Sequence, residues 1–338
     1  MSDFPMIDLG GVSDPDTAAH QRVAQQLRQA LEQVGFFAVV KHGISGQTAR
    51  CRASRAVALH DRRGEAEVTQ AQTASVLELM NRFQEPEVRP WLSELVMPPG
   101  SQGLDVGCGM GLYALWLASV VGPVGRVVAI DPSPERIAEA QVTFKDAPEA
   151  ARIALRQGSG TAIDAPDQHF DWVWCSDVLH HIDESVRAVT EFKRVTRPGG
   201  MIYIKESQVL PALLLPGYLN LERQLQRADV EFQKREAGER SFQERRQRTY
   251  ETLLEADLRD IRVETRIVQR QAPLDEATQH YIQTAIFDRT WGPRIREWLS
   301  ETEWELRSTL CEADSSHAIL KRRDYYCLYP VTLFCAQV

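Results

Sequence analysis

The amino-acid sequence predicts an α/β protein with a doubly wound, mostly parallel sheet, a smaller N-terminal α/β cap and helical lid insertions. Two observations predict the sheet: a glycine-rich turn at 107–111 between a short apolar run and a helical pattern, and an acid, Asp131, at the end of the next apolar run. A strand, helix, strand pattern within residues 4–44 predicts the smaller unit.

The length of 338 residues allows one large domain or two ordinary ones. Pro98-Pro99-Gly100 is the clearest break in the pattern, so we predict a cap domain at 1–98 and a sheet domain at 99–338. Two helical segments, 210–258 and 273–323, are predicted as insertions in the second domain.

The composition excludes several classes of protein. With 43% hydrophobic and 25% charged residues, the chain can bury a core without disulfides or metal. The formal net charge of -8 argues against nucleic acid as a partner, because phosphate binding needs a clustered excess of Lys and Arg. Six cysteines are scattered without a Cys-x-x-Cys pair, so we predict reduced thiols and no metal site. The longest apolar stretch, 112–121, is too short to span a bilayer, and we expect a soluble cytoplasmic protein with no membrane partner.

The N-terminal segment has its own pattern. An apolar run at 5–9 predicts a strand, Ser13-Asp14-Pro15-Asp16 forms a capping box before a helix, and the bulky run 36–40 predicts a second strand that turns out at His42-Gly43. With these residues, positions 4–45 resemble the N-terminal segment of the isopenicillin N synthase-like 2-oxoglutarate/iron dioxygenases.

The rest of this sequence does not show the catalytic motifs of that family. The resemblance would imply a His-x-Asp pair, a distant His and an Arg-x-Ser sequence, but His181-Ile182-Asp183 lies inside a different motif, and neither His280 nor His317 is followed by Arg-x-Ser. We therefore interpret the N-terminal domain as a structural cap; the alternative is an element through which a homodimer forms. Further along, a helix is predicted over 70–96, with a break at Glu85-Pro86.

The glycine-rich turn carries the chemistry. Glycines let the backbone approach a ligand closely where a strand turns into a helix. Asp131 follows Gly111 by 20 residues, the spacing of a carboxylate that accepts both hydroxyls of a ribose. The pattern therefore indicates a cofactor that contains adenosine.

The full motif, Asp105-x-Gly107-x-Gly109-x-Gly111, resembles motif I of the class I S-adenosylmethionine-dependent methyltransferases. Further landmarks of that family follow in order at 153–158, 170–177 and 197–204, while 261–270 and 325–336 would supply the last two strands. The resemblance implies a Rossmann-like sheet of seven strands over about 100–338 and S-adenosyl-L-methionine as the cofactor.

The resemblance also implies which residues bind this cofactor. Asp105 would face the ammonium group, the three glycines of the motif would line the methionine portion, and Ser176 would touch the amino-acid end. Around the nucleoside, the implied residues are Asp131 for the ribose and Pro132, Ser133, Ser159 and Gly160 near the adenine. Ser159 stands where the family often has an Asp, so that contact could pass to Thr161 or Asp164.

Three residues near the predicted carboxyl edge of the sheet are candidates for catalysis. His180 and His181 follow the fourth strand, where a histidine could remove a proton from an acceptor; the alternative is that one of them packs or orients a loop. Glu206 ends the fifth strand and could face the substrate or bind its ammonium group. The alternative interpretation of Glu206 is a surface acid paired with Lys205 or Arg194.

The two insertions leave two interpretations open. The segment 210–258 is dense in charge, which is typical of solvated helix faces. Trp291, Arg294, Trp298 and Glu301 recur at helical spacing, which predicts a core stripe. The alternative is a lid over the acceptor site, because aromatic faces stabilise a sulfonium.

These patterns predict an S-adenosylmethionine-dependent methyltransferase that acts on a small-molecule acceptor, with an oxygen or nitrogen acceptor slightly favoured. One alternative is S-methylation of a thioether amino acid such as methionine to a sulfonium. Another is a non-catalytic cofactor-binding or scaffold protein.

Overall fold

The computed structural model describes residues 6–8, 38–40, 63–238 and 240–338, with side chains from Val76 onward except that of Ala237. The chain divides into two compact units, Met1–Asp61 and Arg62–Val338. In the first unit, strands β1 (Met6–Asp8) and β2 (Ala38–Val40) pair in parallel. The predicted helix after the capping box and the turn at His42-Gly43 lie outside the described residues.

The division between the units falls earlier than the predicted boundary at residue 98. The first helix of the larger unit, α1 (Arg63–Leu92), has Phe83, Trp91 and Leu92 buried in the same core as the sheet. This packing assigns the helix to the larger unit. The helix also continues through Pro86, so the predicted break there is wrong: tertiary packing on both sides of the proline outweighs the hydrogen bond that it removes.

Seven strands form the sheet of the larger unit: β3 (Gln102–Val106), β4 (Arg126–Asp131), β5 (Ile153–Gln157), β6 (Phe170–Ser176), β7 (Thr196–Ser207), β8 (Arg259–Gln271) and β9 (Tyr326–Gln337). Their order is β5-β4-β3-β6-β7-β9-β8, with β9 antiparallel to both neighbours and the remaining pairs parallel. The predicted fold class and the last two predicted strands are confirmed. Because the chain leaves β3 toward β4 and later returns to β6 on its other side, the carboxyl ends of β3 and β6 form the switch point at which such sheets bind ligands.

Helices cover both faces of this sheet: α2 (Leu112–Val120), α3 (Pro134–Phe144), α4 (Ser185–Val195), α5 (Leu219–Ala237), α6 (Phe242–Gln247), α7 (Thr249–Glu255), α8 (Glu276–Tyr281) and α9 (Glu301–Cys311). Alternation along β6 divides the core, since successive strand side chains point to opposite faces. Trp172 and Trp174 pack with α1 and α2, whereas Val173 and Cys175 pack with α4 and α7. Within the described ranges, no helix is both long and apolar enough to cross a membrane.

The second insertion is less regular than its sequence predicts. A π-helix (Ile282–Thr290) and a 3-10 helix (Pro293–Trp298) are separated at Gly292, so Trp291 and Trp298 do not share one α-helix. Trp291 is buried against Phe287, with ring centroids 5.9 Å apart, and Trp298 is half-buried. The burial of Trp291 supports the core interpretation of that residue, although the continuous helical stripe is wrong.

Candidate functional site

The glycine-rich turn is fixed to the neighbouring strand. The amides of Gly107 and Cys108 both donate to the carbonyl of Ile130, at 2.8 and 3.0 Å. Gly107 has a φ of 72°, and a Cβ there would lie 2.4 Å from Val178 Cγ2. Only glycine therefore fits at this first position of the turn.

Asp131 lies at the end of β4, directly beside the turn. Its Oδ2 accepts from the Gly109 amide at 3.0 Å, and its Oδ1 accepts from the Ser133 amide at 2.9 Å. Ser133 also caps α3, because its hydroxyl accepts from the Arg136 amide. Each carboxylate oxygen keeps a second lone pair, so the side chain is held in place and can still accept from a hydroxyl.

Asp105 is the most informative residue of this site. It is 1% exposed, and its Oδ2 makes no hydrogen bond to any residue that the structure describes. Burial and the nearby charge of Asp131 raise its pKa to about 8. A buried carboxyl oxygen without a donor is costly, and a cationic donor such as an ammonium group would satisfy it. The residues therefore fit the ammonium group of S-adenosylmethionine.

Two further hydroxyls lie near this carboxyl end. Ser176 Oγ and Tyr113 Oη are buried and lack a hydrogen-bond partner in the described part of the chain. Ser176 is the last residue of β6, which pairs with β3, the strand of Asp105. Tyr113 belongs to the first turn of α2, and its aromatic ring fits an ordinary apolar helix pattern, so sequence reasoning missed its polar end.

The remaining predicted cofactor residues lie in the connections between the strands and helices of the larger unit. The Ser159 hydroxyl lies 2.9 Å from Thr161 Oγ1 and also accepts from the Thr161 amide, so these two candidates for the adenine contact are bonded to each other. Gly160 is buried, and a Cβ there would lie 3.0 Å from Val106 Cγ1. Pro132 is exposed. Gly111, at φ 83°, precedes α2, where a Cβ would lie 2.5 Å from Phe144 Cε1.

Beyond the turn, His180 and Glu206 form a buried pair. His180 Nδ1 lies 2.6 Å from Glu206 Oε2, and both side chains are at most 1% exposed. Arg246 Nη2 lies 2.9 Å from His180 Nε2. Because a guanidinium can only donate, Nε2 is the acceptor, and the proton of the neutral ring is on Nδ1, where it is donated to Glu206. Burial and the charge of Arg246 hold the pKa of His180 well below its usual value.

Glu206 is therefore not a surface acid, and its partner is neither Lys205 nor Arg194. Burial and the charge of Asp177 raise its pKa to about 8. His181, in contrast, is exposed, and its ring packs 4.7 Å from the ring of Phe242 on α6. The structure thus brings His180 and Glu206 together and gives His181 a packing contact.

A second buried charge pair lies on the neighbouring residues of β7. Lys205 Nζ donates to Asp177 Oδ2 and to Ser207 Oγ, and Ser207 Oγ accepts from Gln84 of α1 at 3.0 Å. Burial opposes ionisation of Asp177, but the charges of Lys205 and Arg246 outweigh it and lower the pKa of Asp177 to about 2. Sequence reasoning missed this cluster, because Gln84 and Ser207 are 123 residues apart in the chain.

Comparison with known proteins agrees with this geometry. Residues 104–204 match the family described as "Methyltransferase domain", and residues 4–57 match the one described as "non-haem dioxygenase in morphine synthesis N-terminal". Fold, glycine-rich turn and family match together define residues 104–204 as a class I methyltransferase domain, with S-adenosylmethionine as its cofactor. Both resemblances seen in the sequence are confirmed.

The individual relatives cover only part of the chain. An uncharacterised methyltransferase of Schizosaccharomyces pombe is 35% identical over 118 residues, which is 33% of this chain and 42% of the relative. The demethylmenaquinone methyltransferase of Lysinibacillus sphaericus is 30% identical over 132 residues, 39% of this chain and 54% of the relative. Among solved structures, a SAM-dependent methyltransferase from Aquifex aeolicus is 25% identical, with a TM-score of 0.36. The match covers 44% of this chain and 76% of the Aquifex chain. The chain thus spans about half the length of these curated relatives.

Proposed function

We propose that the protein is a cytoplasmic S-adenosylmethionine-dependent methyltransferase that methylates an oxygen or nitrogen atom of a small molecule. The observation that carries the proposal is Asp105 Oδ2, a buried carboxyl oxygen that receives no hydrogen bond from the described residues, beside the glycine-rich turn and next to Asp131. Asp105, Ser176 and Tyr113 would hold the amino-acid end of the cofactor, and Asp131 the ribose, with Ser159 and Gly160 at the adenine side. When bound, the cofactor supplies an electrophilic methyl group on a sulfonium.

The chain itself would position the acceptor and take up its proton. Positioning supplies much of the rate in such transfers, and a base is needed only where the attacking atom carries a proton. His180 Nε2 is the candidate acceptor for that proton once Arg246 moves from it, and Glu206 would then stabilise the imidazolium through Nδ1. This arrangement follows the logic of a histidine oriented by a buried carboxylate.

The first test is calorimetric titration of the full chain with S-adenosylmethionine. We expect binding that Asp131→Ala weakens by about tenfold or more, because the ribose hydroxyls lose a charged acceptor. Asp146→Ala, at an exposed site on the same unit, is the matched control and should bind like the wild type. Absence of binding, or equal affinity in Asp131→Ala, would contradict the cofactor site.

The second test is methyl transfer. Incubation of the protein and a methyl-labelled cofactor with cell extract, followed by mass spectrometry, should yield a labelled small molecule with the methyl on oxygen or nitrogen. A label on a thioether sulfur would instead identify the S-methylating alternative. Cofactor binding without transfer to any molecule would identify a non-catalytic binding protein.

We also propose that the protein forms a homodimer through its N-terminal domain. The support is the separate family match of residues 4–57, which lies outside the methyltransferase domain. Sedimentation equilibrium of the full chain should give twice the mass of 38.2 kDa. A monomer at tens of micromolar would contradict this assembly.

A further inference from the structure

A small cavity lies between the two insertions, beside the carboxyl end of β7. Its volume is about 70 Å³, and its lining comes from the segment after β7, from α5 and α6, and from the end of the π-helix. Ala212, Gln226, Gln243, Arg246 and Trp291 represent these elements. Arg246 also contacts His180, so the cavity adjoins the His180–Glu206 pair.

Arg246 brings a positive charge to the lining of this cavity. Its Nε is buried and has no hydrogen-bond acceptor among the residues described, with Glu206 Oε2 at 3.8 Å. The acid in the lining, Asp229, is already used, because it accepts from Arg294 at 2.6 Å and from Gln233 at 2.5 Å. A buried guanidinium N–H without an acceptor favours an anionic ligand.

The size and shape of the site select the kind of anion. A volume of about 70 Å³ is enough to admit a carboxylate group. The planar fork of a guanidinium matches a carboxylate in two parallel hydrogen bonds. Side-chain amides of Gln226 and Gln243 in the lining offer further polar contacts.

We infer that this cavity binds a carboxylate of the acceptor, with Arg246 as its counter-ion, so that the enzyme methylates the hydroxyl or amine of a small organic acid. The inference rests on the proposed function and names its substrate class. Arg246 donates to His180 Nε2, so a carboxylate that takes over this donor leaves Nε2 free. The proton leaving the acceptor's oxygen or nitrogen would then pass to Nε2, and the acceptor atom would bond to the methyl carbon as the bond of that carbon to the cofactor's sulfur breaks, which leaves a neutral thioether.

The test uses acetate and its neutral analogue acetamide as probes of the full-length protein, with saturation-transfer NMR as the measurement. We expect the wild type to bind acetate at least about tenfold more tightly than acetamide, since only acetate forms the charged pair. Arg246→Gln should lose this preference, and Arg246→Lys, which keeps the charge without the fork, should retain part of it. Arg245→Gln is the matched control, because Arg245 is the neighbouring residue on α6 and pairs with the exposed Asp183.

Three results would overturn the inference: equal binding of the two probes by the wild type, an acetate preference that survives in Arg246→Gln, or the same loss in Arg245→Gln. Where Arg246→Gln fails to fold, the wild-type preference and Arg246→Lys decide. Calorimetric titration of the same wild-type sample with S-adenosylmethionine separates the two levels of the proposal. Absent cofactor binding contradicts the proposed function, whereas cofactor binding without an acetate preference contradicts only the carboxylate site.

Discussion

Asp105→Asn removes a carboxyl group that is desolvated by folding, and we expect it to stabilise the protein without cofactor while weakening the cofactor site. The folded protein raises the pKa of Asp105 from 3.8 to about 8, through burial first and the charge of Asp131 second. At a pH between these two pKa values, Asp105 keeps its proton in the folded state and has released it in the unfolded chain. Stability therefore falls as the pH rises through this window, by linkage.

The size of this loss of stability follows from the width of the pH range over which it is measured. Between about pH 6.5 and about pH 8, the wild type should lose about 2 kcal/mol through this group, at roughly 1.4 kcal/mol for each pH unit. Asp105→Asn has no such loss. The gain in stability of the variant over the wild type should therefore be about 2 kcal/mol larger at the higher pH. Any cost of the amide that does not depend on pH cancels in this difference.

Urea unfolding of both proteins at the two pH values, without cofactor, measures this difference. Asp183→Asn, at a side chain that is 84% exposed, is the control for a change of surface charge. A stability difference between Asp105→Asn and the wild type that is the same at both pH values would refute the assignment of the raised pKa to Asp105. In parallel, we expect cofactor affinity to fall by about tenfold or more in Asp105→Asn, because a charged acceptor for the ammonium is lost.

Three further predictions concern stability and turnover. Lys205→Met should lower the free energy of unfolding in urea by about 3–5 kcal/mol, because it leaves buried Asp177 without its cation. Adding Asp177→Asn should recover part of this loss. A double variant no more stable than Lys205→Met would contradict the charge pair of Lys205 and Asp177. Gly111→Ala should lower the free energy of unfolding by about 2–4 kcal/mol, because the position has a left-handed backbone and the new Cβ would meet Phe144. Gly122→Ala is the control, since it has a φ of 77° and no described atom within 4 Å of its Cβ, and it should cost about 1–2 kcal/mol. Equal losses in the two variants would show that packing against Phe144 plays no part. His180→Ala should lower turnover by about 100-fold or more with cofactor affinity unchanged, whereas His181→Ala should stay near the wild type; unchanged turnover in both would exclude a histidine base.

The position of the glycine-rich turn beside Asp131 could be predicted from sequence because its signals are local. The glycine-rich turn and Asp131 each follow a strand within one connected segment, and the parallel pairing of β3 and β4 brings them together. The predicted boundary at 98 and the break at Pro86 differ from the structure for a tertiary reason. Helix α1 packs into the core of the sheet, and no local pattern shows where a helix will pack.

The polar cluster around His180 and Arg246 could not be predicted, because its contacts join distant segments. Arg246 reaches His180 across 66 residues, and its position on α6 reads in sequence as one of several charges on a solvated helix. The same is true of Asp229, which the pattern assigns to a helix face and the structure pairs with Arg294 of the other insertion. Such contacts depend on how the insertions fold back over the sheet edge.

The last residues of β7 link these distant parts to the sheet edge. Successive strand residues point to opposite faces, so Lys205 and Ser207 face α1 and Asp177, while Glu206 faces His180 and Arg246. Helix α1 and the first insertion therefore both contact the strand end through buried polar groups, whereas the glycine-rich turn is hydrogen-bonded to Ile130 and Asp131 of β4. Changes in the insertions can alter the acceptor site and leave the cofactor turn in place. We therefore propose that the extra length of the chain beyond the methyltransferase domain determines acceptor choice.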